Sequence, residues 1–460
     1  MTTPFRHPLA GRRALVAGAA RSGIAAARLL RRHGWDVTLC DRRAADAAPE
    51  AARALAAEGV ALAWGRDDAA LLEGHDVLVW SPGIPVDHPL AEAARASGRP
   101  VLGELELGFR AAAAPFVCIT GTNGKSTTTD LVGALLRSTG RRVEVCGNIG
   151  RALCEVASEV PADGLLVVEV SSFQLETVDL LSPRVATWLN LTPDHLDRHG
   201  SLETYAATKA RLFARQGPQD DAVLSADDPV VAACHEGRAR RSAFSTSHAV
   251  PEGAFLDSAD VVLARAEGRE RLMPRSEVRL PGPHNTANVL AALATVLPFD
   301  PDREALRGVL RTYAGLEHRL ETVGEWNGVR FVNDSKATNT DSLRVALQSF
   351  PRPVVLIAGG RDKGQDFAPL APLVQRAVRR LVLIGEGAEP MSRAWADTPQ
   401  ERAGSLAEAV RRAYEAASPE GAVVLLSPGC ASFDMFRDYE DRGRRFKDEV
   451  RDLMARGEWS

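Results

Sequence analysis

Phe116-Val-Cys-Ile-Thr120 runs directly into Gly121-Thr122-Asn123-Gly124-Lys125-Ser126-Thr127. A short apolar run, a glycine-marked turn and a helical stretch from Ser126 to about Thr139 read as strand, loop and helix. Glycines let backbone N–H groups turn inward around phosphate oxygens, and a helix N-terminus adds partial positive charge. The lysine reaches the outer phosphates and the serine hydroxyl can hold Mg²⁺. Ile119 stands where the strict Walker pattern has its first glycine. The plain alternative is a glycine-rich turn with an incidental lysine. The strand before, the helix after and the Gly-Lys-Ser run together favour phosphate binding.

Outward from this stretch the same rhythm repeats. LLVVEV (165–170) reads as the next buried strand and HNTANVLAALATVL (284–297) as a helix. Segment 237–280, rich in Arg, Ser and Glu, reads as peripheral strands and loops of the same unit. Toward the N-terminus, 14–18, 35–41 and 75–80 read as strands, with a helix over Ile24–His33. In the last third, 354–359, 381–385 and 422–427 read as strands separated by helices. Such alternation predicts parallel sheets covered by helices. With breaks near 105–112 and 314–316, the expectation is an α/β protein of three domains. These are a Rossmann-like N-terminal domain (1–106), a central P-loop-type mononucleotide-binding ATPase domain (107–314) and a Rossmann-like C-terminal domain (315–460).

A chain of 460 residues is too long for one core. Its net charge of −4, with basic residues spread throughout, gives no support to a nucleic-acid partner. The N-terminus lacks the long apolar core of a signal peptide, and no apolar run could span a bilayer. Six scattered cysteines without a CxxC pair read as buried thiols in a reducing compartment. The cytoplasm, without membrane insertion, is the expected location. The cations are lopsided: 51 arginines against five lysines. Lysine is a compact charge whose amine can lose its proton. Lys125, Lys209, Lys336 and Lys363 lie in segments that read as sites, and Lys447, in a charged C-terminal helix, is the control.

Glu169 ends its apolar run at the sheet edge where α/β folds bind ligands. It could hold Mg²⁺ beside Ser126 or cap the SSFQLE segment that follows; the phosphate loop one unit earlier favours metal. Asn190-Leu-Thr-Pro-Asp194-His195-Leu-Asp197-Arg-His199 places two histidines four apart. Without the HExxH glutamate, and with Pro193 nearby, zinc is disfavoured against a magnesium or substrate contact for one histidine. Lys209 shares a helix face with Tyr205 and Leu212, behind a Ser201 cap. Spacing alone favours a snorkelling lysine. The alternative is a partly buried amine of lowered pKa, nucleophilic toward CO₂. The loop from Gly18 to Gly23, followed by Asp41, resembles a dinucleotide fingerprint with Ala20 at its second glycine, and reads as a phosphate loop of unspecified cofactor. In the last unit, Asn333–Asn339, Gly359–Gly364 and Ser427–Phe433 all follow strands and suit an anionic substrate.

With these motifs in place, the chain resembles the Mur ligases of bacterial cell-wall synthesis over essentially its full length. GTNGKS, VEVSSFQLE, NLTPDHLDRH and GPHNTAN match the ATP-dependent middle domain. DSKATN, GGRDKGQDF and SPGCASFDMF look like the member that adds D-glutamate to UDP-N-acetylmuramoyl-L-alanine.

The resemblance implies ATP and Mg²⁺ as cofactors, those two substrates, and a monomer. It implies that Gly121, Thr122, Asn123, Gly124, Lys125, Ser126 and Thr127 hold ATP phosphates, with Asn285, Asn288, Arg319 and Asp334 on the nucleotide. One Mg²⁺ would sit on Ser126 and Glu169, and a second on His195 and a carbamylated Lys209. The UDP loops would use Gly18, Arg21, Ser22, Gly23, Asp41, Arg42, Arg43, Ser81, Pro82 and Gly83, with Asn148 and Ser171 near the muramoyl group. D-glutamate would meet Lys336, Thr338, Lys363, Ser432, Phe433 and Tyr439. The catalytic set is Lys125, Glu169, His195, Lys209 and Lys336. The implied reaction is ATP-dependent amide formation through an acyl phosphate. Competing readings are a nicotinamide oxidoreductase, which leaves GTNGKS unexplained, a related ligase such as folylpolyglutamate synthase, and a P-loop regulator without ligase activity.

Overall fold

The computed structural model describes residues 5–234, 237–362, 364–418 and 422–456. The chain divides into two compact units, residues 1–313 and 314–460.

The first unit holds two sheets. Strands β1 (Arg13–Ala17), β2 (Asp36–Asp41), β3 (Ala61–Trp64), β4 (Val77–Trp80) and β5 (Val101–Gly103) form a parallel sheet in the order 3-2-1-4-5. The order reverses at β1, so the loop after β1 opens at a topological switch point, the usual ligand crevice of such sheets. The helix behind that loop spans Arg21–Arg32 and starts three residues earlier than its apolar pattern predicts. Gly18, at φ 94°, turns the chain so sharply that the helix begins without a side-chain cap.

The second sheet has nine strands: β6 (Phe116–Thr120), β7 (Val143–Gly147), β8 (Leu165–Glu169), β9 (Val185–Trp188), β10 (Asp221–Ser225), β11 (Arg240–Ser245), β12 (Gly253–Asp257), β13 (Asp260–Arg265) and β14 (Gly268–Pro274). Their order is 14-13-12-11-10-9-6-8-7, with β6 between β8 and β9. Strands β6 to β12 pair in parallel, and β13 and β14 close the far edge antiparallel. The arginine-rich segment is thus the sheet's periphery. Strand β6 is apolar throughout because both its faces are covered. Val117 and Ile119 pack under the helices Lys125–Arg137 and Pro283–Val296, while Phe116 and Cys118 pack against Leu105, Phe109 and Leu153. Full burial of such side chains contributes roughly 1.5–3 kcal/mol each, which anchors the loop that leaves the strand.

The other unit carries β15 (Glu321–Trp326), β16 (Val329–Asn333), β17 (Val354–Gly359), β18 (Val378–Ile384), β19 (Gln400–Arg402) and β20 (Val423–Gly429) in the order 15-16-20-17-18-19. Among the described strands of this unit, only the β15–β16 pair is antiparallel. Val354, Leu356 and Ala358 face one core and Val355 and Ile357 the other. Among the described residues no helix is long and apolar enough to cross a membrane.

Candidate active site

The phosphate loop leaves β6 at Thr120 and enters the helix Lys125–Arg137 through Gly124, at φ 82°. A Cβ at Gly124 would stand 2.2 Å from Asn288 Oδ1, so this position requires glycine twice over. The first N–H groups of that helix have no intrahelical acceptor. Lys125 Nζ folds back over the loop and donates to Gly121 O at 3.0 Å and Thr122 O at 2.7 Å. Ser126 and Thr127 are buried.

Not every loop amide is open to a ligand. Asn190 Oδ1 accepts from Thr122 N at 3.1 Å and Asn123 N at 2.9 Å, and its Nδ2 donates to Asn123 O. Asn190 thus braces the N–H groups of Thr122 and Asn123 within the protein. The bracing role of Asn190 has no sequence signal beyond its place at the end of a buried run. Asn288, which stands against Gly124, accepts from Thr128 Oγ1 and donates to Asn285 Oδ1, and Asn285 donates to Pro281 O.

Glu169 pairs in register with Ile119 on β6 and Gly147 on β7. It is 1% exposed. Its Oε1 accepts from Asn148 Nδ2 at 2.7 Å, and its Oε2 is buried without a partner. A buried unsatisfied carboxylate oxygen is costly unless a cation completes it. The capping alternative is excluded, because Ser171 caps the next helix in a reciprocal box with Gln174.

Lys209 departs most from the spacing-based reading. It does not snorkel: it is 1% exposed, and its Nζ donates to Gly121 O at 2.8 Å. The amine lies 4.6 Å from the centre of the Tyr205 ring. Burial, followed by the charge of Lys125, pushes the Lys209 ammonium well below its ordinary pKa, against the opposing pull of Asp194 and Glu169. Tyr205 Oη lies 3.4 Å from Thr122 Oγ1, and its ring packs on His199 at 5.0 Å. Tyr205 thus joins the lysine to the loop, a role that its place on an apolar face did not reveal.

His195 is half exposed, in a left-handed conformation at φ 52°, with its ring 4.8 Å from Phe173. His199 is buried and shares a hydrogen bond with Ser172 Oγ at 3.0 Å. Among the described residues, the one three-member group with metal-ligating geometry is Glu317, His318 and Glu321, so the histidine pair forms no such cluster.

On the first sheet, Gly18, Gly23 and Ser81 meet closely: a Cβ at Gly23 would stand 1.8 Å from Gly18 O, and Ser81 Oγ donates to that oxygen at 3.3 Å. Ser81-Pro82-Gly83 forms a turn closed by Ile84 N on Ser81 O. Asp41 accepts from Ala19 N at 2.8 Å and from Arg43, whose guanidinium holds the carboxyl well below its usual range. Ser22 is half-buried and Arg42 exposed. Arg21 does not point its fork into this loop; it donates to Gly150 O, Asn148 O and Gly147 O.

In the second unit, Asp334 is buried, accepting from Ser427 Oγ at 2.8 Å and Leu320 N at 3.2 Å. Burial pushes its carboxyl up to about 7, with Arg319 opposing. Lys336 Nζ lies 5.8 Å from the Tyr439 ring centre, Ser432 is buried, Thr338 half-buried and Phe433 60% exposed. Lys363 lies outside the described residues. Arg442, unnoticed among 51 arginines, is wholly buried and donates to Ser335, Cys430 and Ala431. It ties the Asp334 loop to the Ser427 loop. Lys447 is not the idle control: it pairs with Glu317 and Glu321.

Comparison with known proteins places all three domains in one family. Residues 12–103 match the Mur ligase MurD-like N-terminal domain, 119–296 the Mur ligase middle domain and 318–430 the Mur ligase glutamate ligase domain. The chain is 43% identical to a UDP-N-acetylmuramoylalanine--D-glutamate ligase of Acidobacterium capsulatum, covering 98% of each chain. It is 44% identical to the protein of the same name from Geobacter metallireducens, covering 97% of this chain and 98% of the other. Among solved structures, a UDP-N-acetylmuramate-alanine ligase of Thermotoga maritima shares the fold, with a TM-score of 0.60 at 18% identity over 96% of this chain and 99% of that one. A phosphate loop, a buried carboxylate with one oxygen lacking a partner and a buried amine, on a chain matching all three domains, lead to one assignment: the chain belongs to the Mur ligase family, in its UDP-N-acetylmuramoylalanine--D-glutamate ligase branch.

Proposed function

We propose that this protein uses ATP to join D-glutamate to the carboxylate of UDP-N-acetylmuramoyl-L-alanine. The observation that carries the chemistry is the phosphate loop flanked by Glu169, with its partnerless Oε2, and by Lys209, a buried amine on Gly121 O. A carboxylate resists attack by an amine because it is anionic and lacks a leaving group. Phosphorylation supplies one: the substrate carboxylate attacks the γ-phosphorus and ADP leaves. The D-glutamate amine then attacks the acyl carbon, and phosphate departs from the tetrahedral intermediate.

In this reading Lys125 and the helix N-terminus receive the ATP phosphates, and Asn285 and Asn288 support the nucleotide side. The donors fit magnesium, a hard cation that prefers oxygen. Ser126 and Glu169 would hold one ion, and His195 with Lys209 as its carbamate the second. When bound, Mg²⁺ offsets charge on the transferring phosphoryl group. The Gly18, Asp41 and Ser81 loops would receive the uridine nucleotide, with Asn148 and Ser171 toward the muramoyl group. Lys336, Thr338, Ser432, Phe433 and Tyr439, with Lys363, would receive D-glutamate.

The test is phosphate release by purified protein with ATP, Mg²⁺ and UDP-N-acetylmuramoyl-L-alanine, with and without D-glutamate, and with L-glutamate in parallel. D-glutamate-dependent release is expected. Release indifferent to glutamate, or preferring the L form, would refute the reading.

A further inference from the structure

Arg21 opens the helix Arg21–Arg32, directly behind the Gly18 turn, where a cation invites assignment to a ligand phosphate. Its guanidinium is committed elsewhere. One nitrogen donates to Gly150 O at 2.7 Å; the other donates to Asn148 O at 3.1 Å and Gly147 O at 3.4 Å. All three acceptors lie at the end of β7 or in the loop that leaves it. That loop is held hard against β8: Gly147 sits at φ 102°, and a Cβ there would stand 2.5 Å from Glu169 O. Asn148 is joined to Glu169 twice, by its N–H on Glu169 O at 2.9 Å and by Nδ2 on Oε1 at 2.7 Å. An unbroken chain of contacts therefore runs from the first sheet's glycine loop to the buried carboxylate.

We infer that Arg21 is a positioning residue for Glu169, clamping the Gly147–Gly150 loop so that Asn148 fixes Oε1 and leaves Oε2 as the oxygen without a protein partner. The inference rests on the proposed function for what Glu169 holds. Arginine suits the task because its planar fork reaches several carbonyls at once, which a lysine ammonium on a shorter stem cannot reproduce. One helix start then serves two sites. The Gly18 turn that would receive the uridine nucleotide and the clamp on the carboxylate's loop share a rigid element, so order in one favours order in the other.

The experiment uses the full-length protein with R21M, R21K, N148A and the double variant R21M/N148A. Mn²⁺ affinity in the presence of ADP is read by electron paramagnetic resonance, which needs no turnover. N148A is expected to weaken Mn²⁺ binding about tenfold or more, as the loss of a ligand-orienting partner does, and R21M about fivefold. R21K should fall between R21M and the parent. The double variant should be no weaker than N148A, because both changes interrupt one chain. In turnover by R21M, kcat and the Mg²⁺ requirement should shift together, with KM for the uridine substrate changing less than about threefold; N148A, which also faces the muramoyl group, is read by Mn²⁺ affinity alone. A raised KM with unchanged Mn²⁺ affinity would make Arg21 a substrate contact and overturn the inference. So would additive losses in the double variant, or a lower melting temperature with intact Mn²⁺ binding. If no D-glutamate-dependent phosphate release occurs, the proposed function fails while the Mn²⁺ titration still decides the clamp.

Discussion

Lys125 and Lys209 donate to the same carbonyl oxygen, that of Gly121, at 3.0 and 2.8 Å. Two ammonium groups converge on one peptide of the phosphate loop, and one of them is buried. The charge of Lys125 and the loss of water both press Lys209 toward its neutral form. A neutral amine is the form that adds CO₂, turning a cation into an anionic oxygen donor.

Lys209→Arg should therefore lower kcat about 100-fold or more, as loss of a metal-orienting group does, because arginine stays cationic and cannot form a carbamate. Steady-state rates with ADP affinity as the folding control decide it. Near-parental turnover would remove the carbamate. Parental activity should also fall in buffer stripped of CO₂ and return with bicarbonate.

Tyr205 carries two separable contacts, a hydroxyl near Thr122 and a ring beneath the Lys209 amine. Tyr205→Phe keeps the ring and should cost about 1 kcal/mol or less of stability, the worth of one long hydrogen bond. Tyr205→Ala removes a buried aromatic side chain and should cost about 3–5 kcal/mol. Denaturant unfolding of both variants measures the difference; equal losses would mean the ring supports nothing.

Glu169→Gln tests whether the partnerless oxygen is a functional strain. Glutamine keeps the volume and the Oε1 contact with Asn148 but replaces the partnerless carboxylate oxygen with a neutral amide group. The variant should lose activity about 100-fold, yet melt no lower than the parent in metal-free buffer. A large fall in melting temperature would make Glu169 a structural residue.

The elements that could be read from sequence are those whose pattern is local. The apolar run 116–120 and its glycines specify strand, turn and helix without reference to anything distant, and Ser201 announces its own helix. Lys209 could not be read the same way. Its helix face is visible, but the cover over that face comes from Thr120 and Gly121, nearly ninety positions away. The contacts of Asn190, Arg442 and Arg21, the last read only as a residue of the UDP loop, escape for a related reason. Each acts on backbone carbonyls or amides, which carry no sequence signature of their own.

Lys447 ties the C-terminal helix Tyr439–Arg456 to Glu317 and Glu321. Lys447→Met leaves those two carboxylates facing each other and should cost about 1–2 kcal/mol, between a surface pair and a buried one. Lys447→Arg restores the charge and should recover most of it. Thermal melts at low and high salt would show this, since the parent's advantage must shrink as salt screens the cluster.

Asp334 supplies the pH dependence. Its carboxyl is buried among Ser427, Leu320 N and the charge of Arg319, and burial dominates, raising it from 3.8 to about 7. Between those values the folded protein keeps a proton that the unfolded chain has released. The stabilising contribution is therefore complete below pH 3.8 and is lost as pH rises through about 7, a change of a few kcal/mol in order of magnitude. Asp334→Asn mimics the protonated form at every pH, because an amide fills the same space and carries no charge. The parent's stability relative to Asp334→Asn should fall from pH 5 to pH 8, leaving the variant more stable at pH 8. Denaturant midpoints at the two pH values measure this directly. A difference between parent and variant that does not change with pH would mean the carboxylate is already ionised in the folded protein, held so by Arg319.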